Sequence, residues 1–271
     1  MSPLPPRPWR PGALLWITAA IHAAALPALL LWPAHWPAAV LALVANHAIL
    51  TATGLWPRSQ WLGPNWTRLP TAATRRGQIA ITIDDGPDPT VTPQVLDLLD
   101  AHGTRATFFC IGTRAQAHPT LMAEIVRRGH EVGNHSEHHH HSFSLLGPGG
   151  FAREIAAGQA TLAEATGQTP RFFRAPAGLR NPFLEPVLAR LGLTLASWTR
   201  RGFDTRESDP DRVLARLTRS LAAGDILLLH DGHAARTPDT GEPVILRVLP
   251  PLLAACRAAE LTPVTLSEAC E

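Results

Sequence analysis

The chain has 271 residues, 45% of them hydrophobic and only 17% charged, with a net charge of +2. That apolar content excludes a disordered or fibrous chain, and the small net charge argues against nucleic acid as a partner. Three Cys with no CxxC spacing exclude a complete disulfide framework and a cysteine-based zinc site.

Charge divides the chain in two. Residues 1–77 hold six Arg and no acid, while the other 18 Arg and all 22 acids follow, a net −4. Segments 12–32 and 38–56 carry no charged side chain, and each is close to the ~20 residues that cross a bilayer as a helix. The proline-bounded connection 33–37 predicts a tight transmembrane hairpin within residues 1–56, and Trp9, Trp32, Trp36, Trp56 and Trp61 cluster at its ends as interfacial aromatics do. A cleaved signal peptide followed by a buried helix is the competing reading, but the first segment is long for a signal and the second too apolar for a surface helix. Two Arg precede the hairpin, four follow it and none lies in its turn, which puts both ends in the cytoplasm of a bacterial-type inner membrane. Three unpaired Cys agree with a reducing compartment, and a periplasmic catalytic half is the alternative. His22 and His47 fall at equal depth in the two spans and could meet, as a functional pair or through an interhelical hydrogen bond involving Asn46.

Residues 57–77 read as a Pro- and Trp-containing linker. Beyond it, short apolar runs predict strands at 79–83, 106–110, 131–134, 171–174, 193–198, 225–229 and 263–266. Helical patterns lie near 91–101, 119–129, 150–166, 183–191, 209–222 and 243–260. Thr90 and Asn181 are the expected N-caps, and Gly103, Gly129, Gly167 and Gly192 the expected stops. Strands alternating with helices predict an α/β fold with a parallel sheet, open or closed into a barrel, over 78–271. Asp84, Asp85, His135, Arg174 and His230 all fall at C-terminal strand ends, where such folds place their chemistry.

Four segments carry that chemistry. Thr82-Ile83-Asp84-Asp85-Gly86-Pro87 sets two carboxylates side by side. Neighbouring side chains on a strand point apart, so one is expected to bind a cation and the other to stay free as a base, although Asp-Gly-Pro also marks a capping turn. In the run His135–His141, His135 and His139 are four apart and can face one point. With Asp85 they make a three-ligand site with open positions, suited to zinc or another divalent metal, while His138, His140 and His141 read as bystanders in a solvated loop. Arg174 can hold a carboxylate through its planar fork, and the Ala177 backbone N–H can stabilise an oxyanion. His230 suits a general acid, with Asp204 to orient it.

In order and spacing, these motifs over residues ~78–270 resemble the NodB-type polysaccharide deacetylases, carbohydrate esterase family four. The resemblance implies a distorted (β/α) barrel and metal-dependent removal of N-acetyl groups from an amino-sugar polymer or lipid-linked glycan. It makes Asp84 the base, Asp85, His135 and His139 the ligands of one divalent ion, zinc by expectation, and Arg174 the group that orients Asp84. His230 becomes the acid tuned by Asp204, and Leu228 a wall of the acetyl pocket. The chain departs from the family pattern at Ala177, usually aromatic, and at Arg201 and Thr205, usually Asp and Trp. Those departures touch substrate contacts more than chemistry. They keep open a hydrolase of a non-sugar amide. A catalytically silent membrane-tethered glycan-binding protein is the other alternative, against which stands the retention of every ligand and the base.

Overall fold

The computed structural model describes residues 5–271. Two antiparallel apolar helices, α1 (Ala13–Leu31) and α2 (Trp36–Leu55), are joined by a single 3-10 turn at Pro33–His35. Both are long and apolar enough to cross a membrane, and almost all of their surface is exposed. Thr18 Oγ1 donates to Asn46 Oδ1 across the pair at 3.1 Å. His22 and His47 do meet, with ring centroids 5.2 Å apart, yet each Nδ1 bonds the carbonyl one turn back on its own helix.

Residues 57–77 differ from a free linker because they are packed onto the sheet. Trp66 forms a parallel bridge with Ala196, Leu62 and Leu69 are buried, and residues Thr71–Arg75 form the short helix α3. The hairpin is tied down at both ends. Arg7 N–H donates to Ala189 O at 3.0 Å and its guanidinium pairs with Glu185 at 2.5 Å, while Arg180 N–H donates to Gly54 O at 3.2 Å.

The strands are β1 (Gln78–Asp84), β2 (Thr107–Cys110), β3 (Glu131–Asn134), β4 (Phe172–Phe173), β5 (Thr194–Leu195), β6 (Arg200–Arg201), β7 (Ile226–His230) and β8 (Thr262–Pro263). Seven of them run in the order β5-β4-β3-β2-β1-β7-β6, all parallel, and β8 pairs with the start of β1. The path does not return from β6 to β5, so the sheet is a half-barrel. The seven expected strands include β8 and omit β6. Two half-exposed Arg carry no strand signal, and β6 exists because it pairs with Leu227 and Leu228 of β7.

The helices of this half are α4 (Thr92–Ala101), α5 (Gly112–Ala117), α6 (Pro119–Arg127), α7 (Pro148–Thr166), α8 (Leu184–Arg190), α9 (Pro210–Thr218) and α10 (Val244–Ala258). The short α5 is not predicted by the apolar pattern. Thr90 does not cap α4; the Asp88 carboxylate accepts from the Thr90 and Val91 N–H groups instead, and α4 starts two residues beyond Thr90. Asn181 accepts from Phe183 N–H just ahead of α8. The four expected glycine stops all follow their helices with positive φ.

Alternation along the strands sorts core from chemistry. Ile79, Ile81 and Ile83 of β1, with Leu227 and Leu229 of β7, pack outward against the helices. Ala80 and Thr82, with Ile226 and Leu228, sit on the inner face, buried to 1% exposure or less. Fully burying each Ile or Leu contributes about 1.5–3 kcal/mol. The register aligns Thr82 with Leu228 and Asp84 with His230, so the inner face delivers a carboxylate and an imidazole side by side at the rim.

Candidate active site

Every site residue expected at a strand end lies at the C-terminal rim of the half-barrel. Asp84 ends β1, His135 follows β3, Arg174 follows β4 and His230 ends β7. Asp204 comes from the loop after β6. Strict alternation would turn Asp85 away from Asp84, but it stops at the strand end. Asp85 has φ 72, and in this left-handed turn its carboxylate reaches His135, as does that of Asp84. The two acids therefore share one cavity.

Arg174 is 1% exposed and all of its bonds are internal. Nη1 donates to Asp84 Oδ1 at 2.6 Å and to Thr82 Oγ1 at 2.8 Å, while Nε and Nη2 donate to Ala196 O and Ser197 O at 3.0 and 2.8 Å. Its guanidinium carbon lies 4.1 Å from the centroid of the Phe109 ring. One oxygen of Asp84 is thus fixed, and the other lies 3.8 Å from His135 Nε2.

His135 Nδ1 lies 2.8 Å from Arg174 O, which can only accept, so Nδ1 carries the proton and Nε2 presents its lone pair. That lone pair faces Asp85 Oδ1 at 3.3 Å, and His139 Nε2 faces the same oxygen at 3.2 Å. Asp85 Oδ1 is buried with no hydrogen-bond partner. Two imidazoles converging on an orphaned carboxylate oxygen call for a cation between them. Tetrahedral donors at ~2.0–2.1 Å from a metal lie about 3.3 Å apart, so the three residues fit a divalent transition-metal ion.

The electrostatics agree. Burial works to raise the Asp85 pKa, but His135 and His233 outweigh it and hold the group well below the usual carboxylate range. Burial also opposes charge on His135, but Asp84 and Asp85 outweigh it and raise its pKa. The pocket thus favours positive charge at that nitrogen. Burial, with His135 adding to it, pushes His139 down to about 4, which leaves its ring neutral and free to ligate near pH 7.

His230 Nδ1 bonds Asp204 Oδ1 at 2.8 Å, and the other Asp204 oxygen accepts the His230 backbone N–H at 2.7 Å. Burial would lower the His230 pKa, but the fully buried Asp204 outweighs it and raises it to about 9. These groups open into a cavity of about 590 Å³. Leu228, Trp198 and Ala177 form walls, and Arg201 and Thr205 also line it. Ala177 has φ 54, so its peptide makes a sharp turn at the cavity wall.

Three groups at this site escape sequence reasoning. Arg114, on the unexpected α5, donates to Asp85 O at 2.8 Å. His233 Nδ1 lies 3.3 Å from Asp85 Oδ2. Asp231 is 1% exposed, accepts from the Thr92 hydroxyl at 2.5 Å, and is raised by burial to about 7. Only Asp231 leaves a signal, by directly following His230.

A family described as polysaccharide deacetylase matches residues 71–196. The chain is 36% identical over 176 residues to the peptidoglycan-N-acetylglucosamine deacetylase of Bacillus cereus, covering 64% of this chain and 81% of that protein. The chain belongs to the polysaccharide deacetylase family. It is also 35% identical over 156 residues to the chitooligosaccharide deacetylase of a Bradyrhizobium species, covering 57% of this chain and 71% of that one. Among solved structures, a family 4 carbohydrate esterase from Streptomyces lividans in complex with acetate superposes with a TM-score of 0.62 at 32% identity, covering 69% of this chain and 91% of that one. The NodB-type resemblance and the expected distorted barrel of about seven parallel strands are thereby borne out, the barrel as an open half-barrel, and this polysaccharide deacetylase is an enzyme by family.

Proposed function

We propose that this deacetylase hydrolyses the N-acetyl group of an amino-sugar glycan held close to a membrane. The carrying observation is the register of Asp84 beside His230, in one cavity with the Asp85–His135–His139 cluster. The names of the related peptidoglycan and chitooligosaccharide deacetylases support an N-acetylated amino sugar as the substrate class. Base, acid and all three ligand residues are present together, which disfavours a silent binding protein.

Asp85, His135 and His139 would hold the ion, zinc by donor type. Bound there, it supplies Lewis acidity towards the acetyl carbonyl and the attacking water. Asp84 takes the water proton on the oxygen that Arg174 leaves free. The Ala177 N–H donates to the carbonyl oxygen as it gains charge. His230, protonated at neutral pH, delivers its proton to the departing nitrogen, and Leu228 packs against the acetyl methyl. No Ser or Cys nucleophile is needed.

The pH profile tests the acid. Activity should fall as pH rises through about 9, because His230 loses its proton there. In Asp204→Asn the largest charge that holds the proton is gone while burial remains, and only Asp84 and Asp85 still favour it, so the alkaline limb should move to lower pH. A limb that stays near 9 in that variant would remove His230 from the acid role.

The membrane part of the reading rests on two short loops. His139 and His141 line the catalytic cavity, while Ser144 and Leu145 line a second cavity of about 320 Å³ against Leu50 and Gly54 of α2. Likewise Ala177 and Gly178 lie on the first cavity and Pro182 and Phe183 on the second. The reaction site is thus a few residues from the end of an apolar hairpin. We read the hairpin as an inner-membrane anchor with both ends cytoplasmic, following the Arg distribution, and the substrate as a lipid-linked N-acetylated glycan. Acetate release by the metal-loaded full chain in lipid nanodiscs should be faster with such a glycolipid in the same disc than with free N-acetylglucosamine oligomers. Equal rates would leave the deacetylase and remove the glycolipid; no release from either would remove the deacetylase.

A further inference from the structure

The histidine run holds a second constellation that the catalytic site does not use. His138 and His140 flank His139, whose φ of 52 turns the chain so that the rings on either side of it come together. His139 turns into the catalytic cavity, whose edge His138 also borders, while the Nδ1 of His138 and the Nε2 of His140 turn towards Glu154 on α7. There they meet Glu154. His138 Nδ1 lies 2.9 Å from Glu154 Oε1, and His140 Nε2 lies 3.6 Å from the same oxygen. The two rings stack with centroids 5.1 Å apart and planes within 16°.

An ordinary hydrogen bond explains His138 but not His140. At 3.6 Å its nitrogen is beyond hydrogen-bond reach, yet it converges on an oxygen already engaged by another imidazole. The two separations bracket the ~3.3 Å expected between tetrahedral donors around one ion. The donor set of two imidazoles and one carboxylate suits zinc and its neighbours, not calcium or magnesium. Both rings are half-exposed, so an ion has an entry path and water can fill its remaining positions. Glu154 is largely buried at 14% exposure and is held by a second contact, since its Oε2 accepts from His138 N–H at 3.2 Å.

We propose that His138, His140 and Glu154 form a second transition-metal site, distinct from the catalytic one, which staples the loop carrying His139 to α7. The two sites share no ligand, so occupancy of one does not empty the other. The exposed site is the weaker of the two, because water competes for its donors.

Zinc titration of the full chain in detergent, followed by calorimetry, tests this. Wild type should bind two equivalents in two affinity classes. His138→Ala/His140→Ala should keep only the tight equivalent, and Asp85→Ala only the weak one. Glu154→Gln, a near-isosteric change, should also lose the weak equivalent, which guards against a misfolded double variant. The melting temperature should rise between one and two equivalents in wild type and not in Glu154→Gln. One equivalent in wild type at saturation, or two retained in Glu154→Gln, would overturn the site. A second equivalent without a rise in melting temperature would overturn the staple.

Discussion

Asp84→Asn should lower acetate release by about 10²–10⁴-fold, the range for loss of a general base. The amide keeps the shape of the carboxylate and an oxygen for Arg174, but it cannot take a proton from water. Zinc content should stay at the wild-type level, because the orphaned oxygen that faces both imidazoles belongs to Asp85. Turnover and metal content measured on one preparation separate the roles of the two neighbours. Wild-type turnover in the variant would take the base assignment away from Asp84, and loss of metal would make Asp84 a ligand.

Arg174→Met should carry the largest cost in stability. The guanidinium satisfies the Asp84 carboxylate, the Thr82 hydroxyl and two carbonyls from a position that is 1% exposed. Removing one partner of a buried pair leaves an uncompensated charge and costs about 3–5 kcal/mol. At about 2–4 °C per kcal/mol for a domain of this size, the melting temperature should drop by about 6–20 °C. Arg174→Lys should recover little of this, since a single ammonium cannot reach four acceptors spread around a plane. Thermal melts of both variants check this, and an unchanged melting point in Arg174→Met would show that Asp84 finds other support.

The strand-end positions of Asp84, Arg174 and His230 were legible in sequence because each stands where an apolar run stops, and His135 was legible by its four-residue spacing to His139. The parallel sheet, though not whether it closes, was legible from the same runs: β1 and β7 are almost wholly buried and read as continuous apolar stretches. What escaped is set by contacts between distant segments. β6 is two Arg whose strand geometry comes from β7, and residues 57–77 look like a linker until Trp66 is seen beside Ala196. Arg114 and His233 reach Asp85 from elements that no local pattern joins. Asp85 shows how a sound periodicity rule ends at the last strand residue. One positive φ turns a side chain expected to face away into the shared cavity.

The packing of residues 57–77, and of Arg7 against Glu185, fixes where the reaction site can go. A freely jointed stretch of that length would let the catalytic half roam about 25 Å and sample whatever passed within reach. Pinned at both ends of the hairpin, it has no such reach. If the hairpin lies in a bilayer, the cavity mouth stays at one height above the lipid, whatever the rotation of the molecule. For a substrate anchored in the same bilayer, encounter then becomes a search in two dimensions, and its rate follows the surface density and lateral diffusion of that substrate instead of its bulk concentration.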